Sequence, residues 1–560
     1  MSEEFNDIRI VLAIDFGTTY SGYAYAHVAS PDRILVKDDW DGVEGRLKLP
    51  TVIKYKENSY DSIELWGYRA LARRPSKKEK ANPKSSKPVE RFKLHLSKSL
   101  KEKPFLPDNL NYKKVITDYL NKLCESIKET LSLVFPEVDL HSNVLIVLTV
   151  PAEFVDNEII IMRECAFNAG FLKEKSSNNL RFTTEPEAAA IDCLNSIVKE
   201  QNNLNPGDSF MIVDCGGDTV NITTRELLED DKLTERTVRG GDYCGSTFVD
   251  QEFLKFIGKK TGPFAIEQMK EHHYDQLQYI VQEFCRLAKY KFTGEETGFE
   301  PFELDFDEIP VIKQYIKGEE REKLEISYWF IEIDFEEVKE MFDPVIERII
   351  NLIKGQLDQI ENDCSAMFLV GGFSESKYLQ ARIKSEFLEV FPSISAPILP
   401  ITAVLKGAVL YGLRESTVAT RKLTQTYGTD IVRRWQPNDP FSPNGYVSAF
   451  ETLAKLGDLV TENYKVIKKF QPFSLLQREI SFNMYATKKE NAKYCNDDGV
   501  TLLRAWVIEL PENENFDDIT IVFTLTFNVE IIATAVNQNT EETVDLKLDA
   551  VLIWGTFREV

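Results

Sequence analysis

The feature that most constrains this chain is a strand, turn and strand that it uses twice. VLAIDFGTTYSGYAYA, Val11 to Ala26, and FMIVDCGGDTVNITTRE, Phe210 to Glu226, each carry a short apolar strand into Asp-x-Gly, reach a threonine and resume as an alternating strand. The two aspartates, Asp15 and Asp214, lie 199 positions apart. A third glycine turn follows the apolar run Met367 to Val370 in FLVGGFSESKYLQARIKSEF and opens into a helical pattern, as strand-to-helix phosphate or ribose sites do. Between these turns, strands such as VLIVLTVP, Val144 to Pro151, alternate with helical stretches, which predicts an α/β architecture. From Phe335 to Ile360, Val338, Met341, Phe342, Val345, Ile346 and Ile349 recur at helical spacing, and Pro344 is expected to divide the run into two helices.

Glycine and threonine after an aspartate let backbone N–H groups converge into an anion nest, and the threonine hydroxyls add donors. A carboxylate beside such a nest repels phosphate. A divalent cation removes the conflict, because Mg²⁺ takes oxygen ligands, keeps most of its waters and bridges carboxylates to phosphates. Two such turns facing one another would clamp a metal triphosphate from both sides. The plainer alternative is that Asp-x-Gly only closes hairpins. Neither the GxxxxGK phosphate loop nor a Rossmann GxGxxG stands at a strand–helix junction.

Six motifs, AIDFGTTYSG, VLTVPAEF, TTEPEAAAI, IVDCGGDTVNI, FLVGGFSES and AVLKGAVLYG, occur in an order that resembles the seventy-kilodalton heat-shock proteins of the actin-like ATPase superfamily, over roughly residues 9 to 414. TTEPEAAAI and AVLKGAVLYG look most like the family's divergent member-twelve branch. The resemblance implies two lobes, at about 9–205 and 206–415, each a ribonuclease-H-like unit, with ATP or ADP in the cleft and lobe closure as the conformational signal. It implies that Asp15, Asp214 and Glu185 hold Mg²⁺ through its waters, with Thr219 beside them in the catalytic set. Gly17, Thr18, Thr19, Tyr20, Gly216, Gly217, Asp218 and Thr219 would surround the phosphates. Gly241, Gly371 and Gly372 would lie against the nucleotide, and Lys289, in EFCRLAKYKFTG, would reach its ribose or base. Pro151 matches a proline that relays nucleotide state. Each has an ordinary alternative: Glu185 as a helix-start acid, Lys289 as a helix-surface lysine, Pro151 as a strand end.

The sequence departs from the family where hydrolysis is concerned. WGYRALARR places Leu71 where the chaperones carry an essential lysine, and losing such a charge costs on the order of 10² to 10³ in rate. Arg69, Arg73 and Arg74 are candidate substitutes. In Gly216-Gly217-Asp218-Thr219-Val220-Asn221, Asn221 stands in place of the usual aspartate, and Asp218 is expected to restore that charge beside the metal. Glu375 and Ile401 occupy places where the family has an arginine and an aspartate around adenine, so the phosphate end of the site is better specified than the base end.

Beyond Arg414 strands dominate, so a β-rich domain is placed at 416–560 after a nucleotide-binding domain at 1–415. In DITIVFTLTFNVEIIATAV, Ile519, Ile521, Phe523, Leu525 and Phe527 alternate with Thr520, Thr524 and Thr526, and TVDLKL, Thr543 to Leu548, repeats the period of two. No helical lid is expected after Leu548. The domain resembles the peptide-binding sandwich of the chaperones in position, which implies an extended peptide as partner; an ordinary sandwich core reads the same way. Arg73 to Lys103, rich in Lys, Ser and Pro, is read as a solvated loop, with a nuclear-entry signal or an anion-docking patch as alternatives.

A chain of 560 residues exceeds what one core serves, and its net charge of -23 argues against nucleic acid as a partner. Its eight scattered cysteines form no CxxC pair, and no apolar run approaches the ~20 residues of a membrane span, so a cytoplasmic protein is expected. Three functions follow: a chaperone-like ATP switch with weak ATPase activity, a nucleotide-binding scaffold that does not hydrolyse, or a small-molecule kinase of the same superfamily.

Overall fold

In the computed structural model, the apolar run IVLAIDF forms strand β1 (Ile10–Phe16), buried at every position. A strand covered on both faces needs no polar alternation and suits the middle of a sheet with parallel neighbours. β2 (Tyr20–His27) folds back antiparallel, with Phe16 opposite Ser21. β3 (Val144–Val150) and β4 (Leu180–Thr184) add in parallel, giving the order β4-β3-β1-β2.

The second copy repeats this plan. β5 (Ser209–Cys215), again wholly buried, turns into antiparallel β6 (Val220–Leu227), while β7 (Ala366–Val370) and β8 (Ser393–Ser395) add in parallel as β8-β7-β5-β6. Each Asp-x-Gly turn therefore leaves the carboxyl end of a central strand, where α/β sheets present their ligand crevices. The structure describes residues 7–548 apart from short stretches, the longest being 75–86, 471–478, 510–519 and 539–545. Both sheets belong to one compact unit, made of Met1–Phe154, Glu158–Leu227 and Arg239–Thr417.

Five helices of this unit matter to the site: α1 (Glu185–Cys193), α2 (Thr247–Thr261), α3 (Phe335–Leu357), α4 (Lys377–Phe387) and α5 (Ala403–Leu413). The small residues of TTEPEAAAI and AVLKGAVLYG are explained by the crossing of α1 with α5. A Cβ on Gly407 would overlap the Ala188 carbonyl, and one on Gly412 would press into Val11 and Val147 of β1 and β3. The expected break at Pro344 does not occur, and α3 runs unbroken for 23 residues. Its capping box, Asp334 with Glu337, starts it firmly, and the buried stripe from Val338 to Ile353 holds it. Pro344 itself is on the exposed face, so its ring stays clear of the buried stripe that holds the helix.

The second unit comprises Val155–Asn157, Leu228–Val238 and Val418–Val560. Within it, Leu233–Glu235 pairs in parallel with Val418–Lys422, far along the chain. β9 (Thr426–Arg434), β10 (Tyr446–Ala454), β11 (Tyr464–Phe470), β12 (Glu479–Thr487), β13 (Val500–Glu509), β14 (Ile521–Phe527), β15 (Ile531–Asn537) and β16 (Leu546–Leu548) make two sheets, β10-β9-β12-β13-β16 and β11-β14-β15. The period of two in β14 is realised, with Ile521, Phe523, Leu525 and Phe527 buried. Phe523 meets Phe482 at 4.3 Å and Trp506 at 5.6 Å between ring centres, so the two sheets share one core. Ile519, Thr543 and the chain after Leu548, where the absence of a lid was expected, lie outside the described residues.

The helix crossing yields a prediction. Gly407→Val overpacks a contact that has no room for a Cβ, and should cost about 3 kcal/mol. Thermal denaturation should show a lower midpoint for the variant; an unchanged midpoint would mean that α1 and α5 pack less closely than described.

Candidate functional site

The first turn is fixed from below by Thr51, whose backbone N–H donates to the Thr19 carbonyl at 2.8 Å and whose hydroxyl donates to the Gly17 carbonyl at 2.9 Å. The second is fixed by the start of α2: Gly245, Ser246 and Thr247 donate their N–H groups to the carbonyls of Asp218, Gly216 and Gly217 at 3.0, 3.1 and 2.8 Å. The two turns meet. A Cβ on Gly217 would overlap the Thr19 side chain, which is why glycine stands there. The third turn joins them, because Gly371, at φ 84°, lies against the Asp214 carboxylate and the Cys215 carbonyl with no space for a side chain.

The turns open on a cavity of about 1590 Å³. Every site residue named from the sequence lines it except Gly241. Gly241 belongs to the short strand Gly240–Asp242, opposite Asn221 on β6, so it backs the second turn and does not face the cavity. Lys289 lines the cavity, donating to the Asp250 carboxylate and the Ser246 carbonyl, both at 2.6 Å. Glu375, Ile401 and Leu71 line it as well, and Pro151 is buried just beyond the end of β3.

Three carboxylates converge here, with two lysines set on two of them. Asp15 accepts from Lys48 Nζ at 2.5 Å and from the Thr149 hydroxyl at 3.1 Å. Glu185 opens α1, but Thr184 caps that helix, and the Glu185 carboxylate is turned to Lys93 Nζ at 2.9 Å and to Asn221 Nδ2 at 3.5 Å. Burial first, and then the charges of Glu185 and Asp15, push the Asp214 carboxyl up to about 8. Burial also raises Glu185, against the opposing charge of Lys93. The cluster is thus short of positive charge. That shortage fits a hydrated Mg²⁺ gripped through its waters. Among the described residues, no group of three or more His, Cys, Asp or Glu side chains is arranged to ligate a metal directly.

Several of these residues escaped the sequence reading. Lys93 lies in the stretch taken for a solvated loop; instead Val89–Glu90 is a strand, Phe92–His95 a 3₁₀ turn, and Phe92, Lys93 and Leu94 are buried. The loop composition of the flanking lysines and serines hid the pattern RFKLHL. Positions 73, 75–86, 98–99 and 101–102 of the proposed nuclear-entry or anion-docking patch lie outside the described residues. Asp218, expected to bring its charge beside the metal, lines the cavity with that charge paired. Its Oδ1 is 2.5 Å from the Arg91 guanidinium and accepts from the Thr247 hydroxyl at 2.7 Å. Arg69 and Arg74 are not among the residues lining the cavity and are paired with Asp41 and Glu308, and Arg73 lies outside the described residues. The signals available were Thr149, a lone hydroxyl in VLIVLTV, and Lys48, a lone charge in LKLPTVI.

Duplicated sheets that bring paired Asp-x-Gly turns to one cavity are the architecture of the actin-like ATPase class. Among curated proteins, the chain is 26% identical to human Heat shock 70 kDa protein 12A over 592 residues, covering 89% of this chain and 84% of that protein. It is 24% identical to human Heat shock 70 kDa protein 12B, covering 90% of this chain and 84% of that one. Chaperone protein DnaK of Thermoplasma volcanium is 22% identical over 48% of this chain and 39% of its own length. No protein-family model matches. Over most of its length the chain is similar to members of the twelve branch of the 70-kDa heat-shock proteins. Among the described residues, no helix is long and apolar enough to cross a membrane.

The Arg91–Asp218 pair is testable. Arg91 holds a left-handed backbone, φ 57°, and its guanidinium compensates a carboxylate that is otherwise fully enclosed. Arg91→Ala should destabilise by about 3 kcal/mol, and adding Asp218→Asn should restore much of it. Chemical denaturation of the two single variants and the double variant measures this; additive losses would show that the two side chains do not depend on each other.

Proposed function

We propose that this chain binds magnesium ATP between its two Asp-x-Gly turns and uses the bound nucleotide as a conformational switch of the heat-shock-seventy type, with weak hydrolysis to ADP and phosphate. The observation that carries the reading is the meeting of the turns, with Thr19 against Gly217 and Gly371 against Asp214. A nest from each sheet on one anion would resist separation of the two lobes, so a triphosphate favours closure by its differential affinity for the closed arrangement. Asp15, Asp214 and Glu185 would hold the metal through its waters, and the metal would neutralise charge developing on the transferred phosphoryl group. Thr18, Thr19 and Thr219 line the phosphate end of the cavity with hydroxyls, and Lys289, Gly372 and Glu375 line its other parts. Phosphate recognition is built into backbone and is insensitive to the base.

Two residues support the alternative of a scaffold that binds without turnover. Leu71 brings no charge to the cavity, and Asn221, unlike an aspartate, cannot take a proton from an attacking water. The β-rich unit supplies a candidate for the partner. Its strands β11 and β15 are edges of the three-stranded sheet, with Ile467 and Ile532 exposed, and an extended peptide adds to such an edge through main-chain hydrogen bonds.

Single-turnover hydrolysis by the purified chain, beside Asp15→Ala, decides between switch and scaffold. Turnover above background that the variant loses is expected for the switch, by a factor of at least about 10². Tight binding with no turnover in either protein would leave the scaffold standing, and no binding by either would end both.

A further inference from the structure

Leu71 leaves one corner of the cavity without the positive charge that phosphate needs, yet that corner holds a lysine from another segment. Lys48 lines the cavity with its Nζ 2.5 Å from Asp15 Oδ2, and its side chain is 11% exposed. β2 makes room for its stem at Gly22, where a Cβ would stand 3.1 Å from Lys48 Cγ. The Lys48 carbonyl accepts from the Tyr68 hydroxyl at 2.8 Å, and Tyr68 belongs to the 3₁₀ turn Gly67–Ala70 that delivers Leu71. Lys48 and Leu71 are therefore tied to one small region of the wall. Lys93 is placed differently: it is buried behind Glu185, between the rings of Phe16 and Phe154 at 5.6 and 5.7 Å, and serves to position that carboxylate.

We propose that Lys48 is the phosphate-contacting cation of this chain, supplying from the neighbouring segment the charge that Leu71 does not, and that it sets the preference for a triphosphate over a diphosphate. The proposal rests on the nucleotide-binding reading. An ammonium carries three donors, so a lysine on Asp15 can keep its place at the mouth of the two nests and turn donors to an anion. With a divalent cation brought by the anion, Asp15 would be free to hold the metal through its waters and Lys48 to hold the anion, so that the two charges paired in the free protein would each gain a partner of the right sign. The pairing in the free protein also keeps either charge from being buried alone.

The test measures binding, which does not depend on turnover. Magnesium ATP and magnesium ADP are titrated calorimetrically into the full chain and into Lys48→Gln, Lys48→Arg and the double variant Lys48→Gln/Leu71→Lys, each checked for an intact thermal transition. Lys48→Gln keeps a side-chain N–H donor, one atom shorter than the ammonium, and removes the charge. It should weaken ATP roughly 10- to 100-fold and ADP less, with Lys48→Arg near the parent and Leu71→Lys restoring part of the loss. Unchanged or tighter ATP binding in Lys48→Gln overturns the proposal, since Lys48 would then only neutralise Asp15. A parent chain that takes neither nucleotide overturns the underlying reading first and this one with it; should Lys48→Gln fail to fold, a loss of the ATP preference in Lys48→Arg, which keeps the charge, overturns it as well.

Discussion

Three buried carboxylates in one small volume repel each other, and the first unit is built to hold them there. Asp15 and Asp214 end the two central strands, and Glu185 starts α1, so each is fixed by an element whose other residues are core. Such an arrangement is costly without counter-charge, as the upward displacement of Asp214 shows. Lys48 and Lys93 compensate only part of it. The remainder makes the site receptive to a cation, and the glycine turns beside it make it receptive to an anion, so a ligand carrying both charges fits as neither would alone.

The fold of this unit was largely legible in the chain. Two buried strands with the same terminal signature require two equivalent positions, and equal strand order in both sheets supplies them. What composition misread was the stretch around Lys93, where lysines and serines on either side masked a core-forming RFKLHL. Pro344 was misjudged because a local rule about helix interiors ignores which face the ring occupies. The pairing of Asp218 with Arg91 joins residues 127 positions apart, and no local pattern announces it.

Small residues in this chain have positional reasons that chemistry alone would not reveal. Gly217 and Gly371 allow turns to touch at the cavity, whereas Gly407 lets α5 cross α1 at a distance from it. The same Ala-rich motif whose Glu185 lines the cavity therefore continues as packing surface. In the second unit the alternation of β14 was enough to assign its core, because a half-buried strand writes its register into the sequence.

The central claim, that both turns grip one nucleotide, is tested most directly by hydrogen–deuterium exchange during a titration with magnesium ATP. The amides of Gly17 to Tyr20 and of Gly216 to Thr219 should gain protection together, at the same nucleotide concentration and with one midpoint. Protection confined to one turn, or gained at two separate midpoints, would contradict the account.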